Sequence, residues 1–337
     1  MAAKFIHEAE FRRERDFGTK VSATFEFLTA QFRPLLKCVA YFVLPAALLC
    51  GIGMGLLFNN LTALIPAAGS SPNRNAVSSM GMNALVGGGL STIGLTVAFL
   101  LLSTTVYAYI RLRMDTPAAE PVQPAQVWQY IRPRLGRVVL GTLMLGGLAA
   151  VLFLGGFGVI IATLAPLMRS GDVGPILLGV GLSFLVFGFM MWAMVCLSMY
   201  FPAMLLEDAD VWTSLRRSFY LVRGKWWSTL GLYMVITFIQ SFIAYLFAIP
   251  MYGVMLVQML KIPGFDSPVL SVVTASIYAI GAVFTMVLPL IALAFQYFNL
   301  VERKDGVGLQ QLVNSLGQTP APQVSNAAFR PDEEGEY

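Results

Sequence analysis

The chain has 337 residues, of which 12% are charged and 57% hydrophobic, with a mean hydropathy of +0.72. Soluble domains carry roughly 25% charged residues, so a water-exposed globule of this size would lack the polar surface to cover itself. Disorder as the main state is excluded on the same ground, and 31 Gly with three Cys exclude a collagen-like or disulfide-built chain.

Residues 1–17 form a charged N-terminal segment without the apolar core of a signal peptide. It contains the one histidine, His7, which leaves no imidazole partner for a catalytic dyad or a clustered metal site. Six apolar stretches then reach the roughly 20 residues needed to cross a hydrocarbon core. They cover 35–58, 85–110, 138–168, 175–206, 227–260 and 269–301. Their apolarity is continuous rather than alternating, which predicts helices and not barrel strands. Cys38, Cys50 and Cys196 fall inside these runs without C-x-x-C spacing and read as small apolar side chains.

Lys and Arg are distributed unevenly around the six spans. Nineteen fall in the N-terminal segment, the links after spans 2 and 4 and the C-terminal segment; only Arg74, Arg169 and Lys261 fall on the other side. The positive-inside rule then predicts an inner-membrane protein with both termini cytoplasmic.

Each basic link carries a short amphipathic segment before a pair of spans. The clearest has Trp212, Leu215, Phe219, Val222 and Trp226 on one helical face with Arg216, Arg217 and Arg223 off it, a pattern suited to the headgroup region. Arg33, Arg132 and Arg223 align, and each is followed by a helix breaker, Pro34, Pro133 or Gly224. Trp128 matches Phe219 in register, whereas the first unit has Thr29 there. The alignment predicts an in-plane helix that ends at the breaker and a chain that bends into the bilayer. Tyr109, Tyr200 and Tyr297 close the three hairpins at the height of an interfacial aromatic belt.

The expected fold is thus all-α: a polytopic membrane helix bundle of six transmembrane helices, arranged as three hairpins each preceded by an interfacial amphipathic helix. The membrane domain is 18–303, in repeat units 18–114, 115–206 and 207–303. A short amphipathic segment follows at 304–317, then an acidic tail at 318–337 of disordered composition.

No charged residue lies deep in a span, which argues against a carboxylate-coupled pump. The polar residues inside are Gln240, read as an interhelical hydrogen-bonding group or a cavity lining, and the weaker cases Thr104 and Thr274, whose hydroxyls can bond to their own helix. Gly51 with Gly55, Gly146 with Ala150 and Gly179 with Ser183 are small pairs for close helix packing or a dimer face. Pro45, Pro166, Pro202, Pro250 and Pro289 are kinks or hinges. Glu207, Asp208 and Asp210 precede Trp212 and read as helix-capping acids. Gly87, Gly88 and Gly89 lack the Lys and Ser/Thr of a phosphate loop. Asn60 and Thr62 fit a glycosylation acceptor by pattern alone. No catalytic set, metal site or cofactor motif is present, so a non-enzyme is expected. The basic side offers the interaction surface: Arg33, Arg132, Arg134, Arg216, Arg217, Arg223 and Lys225 with Trp128, Trp212 and Trp226, facing anionic headgroups or a protein partner. Nucleic acid is not expected.

The stretch Trp212–Leu230, with its Gly224, Lys225, Trp226 step into a span, resembles the membrane domain that accompanies some bacterial glycerophosphodiester phosphodiesterases. Arg15–Phe27 and Asn299–Leu309 resemble an uncharacterised Bacteroidetes-type group of multi-pass proteins. The phosphodiesterase's catalytic domain has no counterpart here, so the resemblance implies a membrane fold and no activity. The functional expectation is a membrane scaffold or lipid-organising protein. The alternatives are a transporter or lipid-moving channel with an uncharged pathway, and a membrane subunit of an enzyme. The topology has a direct test: a cysteine placed at Arg216 should react with impermeant maleimide only from the cytoplasmic side, and labelling from outside overturns the six-span arrangement.

Overall fold

A backbone inside an apolar run has no hydrogen-bond partner except its own carbonyls, and the described residues are helical almost throughout, with no strand among them. The computed structural model describes residues 8–67, 74–116, 120–170, 173–260, 262, 264–265 and 267–306. His7, the segment expected at 304–317 after Gly306, and the tail at 318–337 lie outside them. The helices are α1 (Glu8–Phe11), α2 (Phe17–Ala67), α3 (Arg74–Asp115), α4 (Pro124–Ile131), α5 (Leu135–Ser170), α6 (Val173–Leu197), α7 (Tyr200–Leu206), α8 (Val211–Val222), α9 (Trp226–Met259), α10 (Pro268–Thr285) and α11 (Val287–Asp305). They supply six stretches long and apolar enough to cross a membrane, Phe17–Phe58, Ala84–Asp115, Pro124–Ala165, Ile176–Leu206, Trp226–Met259 and Pro268–Asp305. These coincide with the six read from the sequence, lengthened mainly toward the basic residues.

Packing is uneven along the bundle. At the end where the basic residues gather, α11 is the centre: every residue from Val287 to Val301 is buried. Around it lie α2, α3, α7, α8 and α9, with Phe27, Tyr107, Tyr200, Met204 and Leu221 filling the space between. Toward the opposite end the helices separate into apolar hairpins. α2, α3 and α10 stay together there, whereas the α5/α6 hairpin meets the rest of the chain only weakly. Leu143, Leu154, Phe184 and Leu185 of that hairpin are largely exposed, a surface suited to lipid.

Glycine sets the close approaches. A Cβ on Gly53 would lie 2.3 Å from the Ser91 nitrogen, and one on Gly94 2.4 Å from the Cys50 nitrogen, so α2 and α3 touch backbone to backbone. Gly51 and Gly55 meet Ser276 and Val272 of α10 in the same way, which makes that small pair an intramolecular contact. Gly146, by contrast, faces open space.

The breakers act to different degrees. Pro202 and Pro289 do interrupt their spans, at Ser198–Met199 and at Met286. Each break lies within one turn before the ring, where proline removes a hydrogen bond and crowds the preceding carbonyl. Pro45 and Pro250 ride inside unbroken helices. Among the three aligned joints, Gly224 gives a true break with φ +82°, a conformation that costs glycine nothing. Pro133 gives only a 3₁₀ turn over Arg132–Arg134. Pro34 gives none: α2 runs straight through it, so the bend expected there is absent. Leu35, Cys38 and Val39, buried on the far side of Pro34 as Phe27 is on the near side, keep both halves of α2 against one wall. The tyrosines also differ from expectation. Tyr109, Tyr200 and Tyr297 are buried in the core rather than standing in an exposed belt.

Gly53→Ala and Gly94→Ala should each lower the midpoint of thermal unfolding in detergent, by the roughly 1–3 kcal/mol of an overpacked contact or more. Gly147→Ala, where a Cβ would meet nothing within 4 Å, should leave the midpoint unchanged or raise it, because alanine holds a helix better than glycine.

Candidate functional site at the basic end of the bundle

The polar chemistry of the chain is concentrated where α2, α5 and α9 begin and α3, α7 and α11 end. Two side chains of the central helix α11, Gln296 and Asn299, are buried there and need partners. Lys20 of α2 donates to Gln296 Oε1 at 2.8 Å and to Ser228 Oγ at 3.2 Å. Gln296 in turn donates to Thr229 Oγ1 at 2.9 Å. Asn299 Oδ1 accepts from the Arg15 backbone N–H at 2.8 Å. The Arg15 guanidinium lies 5.0 Å from the centroid of the Phe295 ring and donates to the Phe11 carbonyl at 2.8 Å. Burial, with Arg13 nearby, pushes its pKa down to about 10. Phe11 itself is buried against Phe27, Phe295 and Phe298. The charged N-terminal segment is therefore packed onto α11 through Phe11 and Arg15.

The acids before α8 have a different role from the capping expected of all three. Asp210 alone takes the position that caps α8. Glu207 accepts from Arg217 at 2.9–3.0 Å and from the Tyr297 hydroxyl, and Arg217 also reaches Asp305. Asp208 accepts from Arg134 at 2.8 and 3.0 Å and from Arg137. It sits at φ +56°, a left-handed conformation that Asp tolerates better than most residues. The linker between α7 and α8 thus ties α8 and α11 through one carboxylate and the start of α5 through the next.

The residues named from the sequence divide accordingly. Arg134 and Arg217 are held in ion pairs. Arg33, Arg132, Arg216, Arg223 and Lys225 are exposed, as is Lys37, and none of them has a carboxylate partner among the described residues. Arg216 lies 5.3 Å from the Trp212 ring centroid. Trp128 stacks on Phe42 at 5.9 Å. Trp226 is half-buried, its indole N–H directed at the Trp192 carbonyl at 3.4 Å. The hydroxyls of Thr104 and Thr274 bond to their own helix, at 2.6 Å to Leu100 and 2.9 Å to Leu270. Gln240 makes an interhelical bond, donating to Thr285 Oγ1 at 3.1 Å.

Two cavities open beside this region. One, about 400 Å³, lies between α2, α9 and the α10–α11 joint; Thr285 is its polar lining residue, among Phe25, Leu28, Phe32 and Phe247. The other, about 430 Å³, lies between α6, α8 and the start of α9. Both volumes fall in the range of small-molecule sites.

Sequence reasoning passed over Lys20, Arg15, Phe11, Gln296 and Asn299. A signal existed for the last two, since polar amides three residues apart at the end of an apolar run must face either partners or water. Their partners come from the far N-terminus, and no local pattern announces that pairing.

The profile of the domain of unknown function DUF7847 matches residues 42–300, well over half of the chain, and the chain belongs to that family. No curated protein and no solved structure matches it.

Asp208 gives a test of the joint. Its hydrogen bonds from Arg134, the largest cause, and from Arg137 hold its pKa down to about 2, below the ordinary 3.8. A depressed carboxylate stabilises the fold above its ordinary value, and that contribution is lost as pH falls from about 4 to about 2. Asp208→Asn keeps the backbone conformation and removes the charge. The variant should unfold at lower temperature at pH 7, by about 1 kcal/mol for so exposed a pair. The gap between variant and parent should shrink as the pH falls through 4.

Proposed function

We propose that this chain is a non-catalytic membrane protein that gathers anionic phospholipid around the basic end of its bundle. That end would face the cytoplasm of the cell in the inner membrane, with both termini on that side. The observation that supports this reading is the imbalance at the basic end. Carboxylates there are engaged by Arg134, Arg137, Arg217 and Arg303. Arg33, Lys37, Arg132, Arg216, Arg223 and Lys225 are left exposed without an acid among the described residues. Exposed cations beside apolar helix faces attract anionic headgroups by about 1 kcal/mol each. Trp212 and Trp128, both exposed, suit the same depth. The likeness of Trp212–Leu230 to the membrane domain accompanying some bacterial glycerophosphodiester phosphodiesterases adds a connection to lipids, without their chemistry.

A second reading, movement of a lipid along an uncharged path, has one observation in its favour. The cavity between α2 and α9 reaches Thr285, which is bonded to Gln240, so an apolar cleft does come up to the interhelical amide of α9.

The first reading is tested in bilayer discs of mixed phosphatidylcholine and phosphatidylglycerol. Phosphatidylglycerol co-purifying with the protein should exceed its share of the bulk mixture, and the excess should fall with salt as exposed charges are screened. The triple variant Arg33→Gln, Arg132→Gln, Arg216→Gln should lose most of the excess. Composition equal to bulk for the parent protein overturns the reading.

A further inference from the structure

Six exposed cations around a bundle would produce a diffuse halo of lipid. One of them, however, stands in the wall of a cavity. Arg223 lines the 430 Å³ space whose other walls include Trp192 and Cys196 of α6, Phe219 and Val222 of α8, and Trp226 of α9. Resting on the reading above, we propose that this cavity is a specific site for one anionic phospholipid, with an acyl chain against the aromatic wall and the phosphate at Arg223.

Three features select that occupant. First, the walls are apolar except at one edge, and the edge is cationic. Arg223 supplies that edge and has no acid partner among the described residues, and Lys304, which donates to the carbonyls of Tyr220 and Arg223, adds positive charge beside the joint. Second, the joint is the true break among the three aligned ones. Gly224 at φ +82° ends α8 and lets the chain turn before Trp226 starts α9, and Gly224 itself lines the cavity. Third, exposed aromatic residues border the cavity, Phe189 packed on Trp192 and Trp227 on Trp226. Trp192 and Phe189 of α6 and Trp227 of α9 are exposed, and α5/α6 packs weakly on the remaining helices. A chain can therefore enter sideways, while a headgroup stays at the depth that Trp residues mark. The equivalent positions of the other units lack this set: Arg33 lies in an unbroken helix, and Arg132 lines neither cavity.

The chain has five tryptophans, and a variant with Trp128, Trp212 and Trp227 changed to Phe keeps Trp192 and Trp226 as reporters inside the site. In bilayers carrying lipid brominated on its acyl chains, brominated phosphatidylglycerol should quench these reporters several-fold more effectively than brominated phosphatidylcholine at equal mole fraction. Arg223→Gln should weaken the preference about fivefold, equivalent to the loss of about 1 kcal/mol for one basic group at an anionic surface. Arg223→Lys should keep it, which separates charge from folding, and Arg132→Gln should leave it unchanged. Equal quenching by the two lipids overturns the site, as does a preference untouched by Arg223→Gln. Relief of quenching by soluble glycerol phosphate also overturns it, because it shows a headgroup pocket without a chain. If phosphatidylglycerol is enriched in discs while the reporters show no preference, the site alone fails. Bulk composition in the discs removes the wider reading as well.

Discussion

The stretch Val287–Val301 of α11 has no face turned to water or lipid, and much of the architecture follows from that. A helix buried on every side must be enclosed by other helices, and here α2, α3, α7, α8 and α9 close around it. Its polar residues must be satisfied from within the protein. Gln296 and Asn299 are met by Lys20 and Arg15, so the N-terminal segment is drawn into the core even though its composition is that of a solvated tail. The aromatic contact of Phe11 with Phe295 and Phe298 adds apolar burial to the same attachment. The basic end is thus built like a soluble core, with mixed polar and apolar burial, while the opposite end is built of hairpins meant for lipid.

This division decides what was legible in the sequence. The six spans are legible because the bilayer imposes a length and an apolarity that nothing else in the chain imitates. The interhelical bond of Gln240 and the self-bonded hydroxyls of Thr104 and Thr274 follow from the same solvent argument. What lies in the core at the basic end is less legible. Tyr109, Tyr200 and Tyr297 occur where a belt residue would, yet they are buried, with Tyr109 bonded to Gln31 at 2.8 Å and Tyr297 to Glu207. A tyrosine at a span end satisfies either role, and the choice depends on helices distant in sequence. Pro34 is the same case. Its local effect is to break a helix, and the local effect yields to packing on both of its sides.

The amphipathic helix α8 buries small hydroxylated side chains beside its apolar stripe. Of its stripe, Val222 is fully buried and Leu215 and Phe219 pack against the core while Trp212 is exposed, and Ser214, Ser218 and Leu221 are fully buried beside them. Small hydroxylated residues let α8 lie close to α6, with Ser218 bonded to the Cys196 carbonyl, while Trp212 is left exposed. Hydrophobicity alone ranks a tryptophan above a serine for burial. Close helix contact reverses that order, as it does between membrane helices generally.

Charge obeys a related economy. A carboxylate at the basic end can join two elements, and Glu207 and Asp208 each do so; a cation there can be left in contact with headgroups at little cost. The pairing of Arg134, Arg137, Arg217 and Arg303 with acids therefore removes the charges that the fold itself uses. The unpaired cations are what remains for the surroundings. Orientation in the membrane needs only their number and side. It has no requirement that one of them line a cavity of ligand size beside two tryptophans, as Arg223 does. That placement in a cavity wall is what sets the joint between α8 and α9 apart from the two it aligns with.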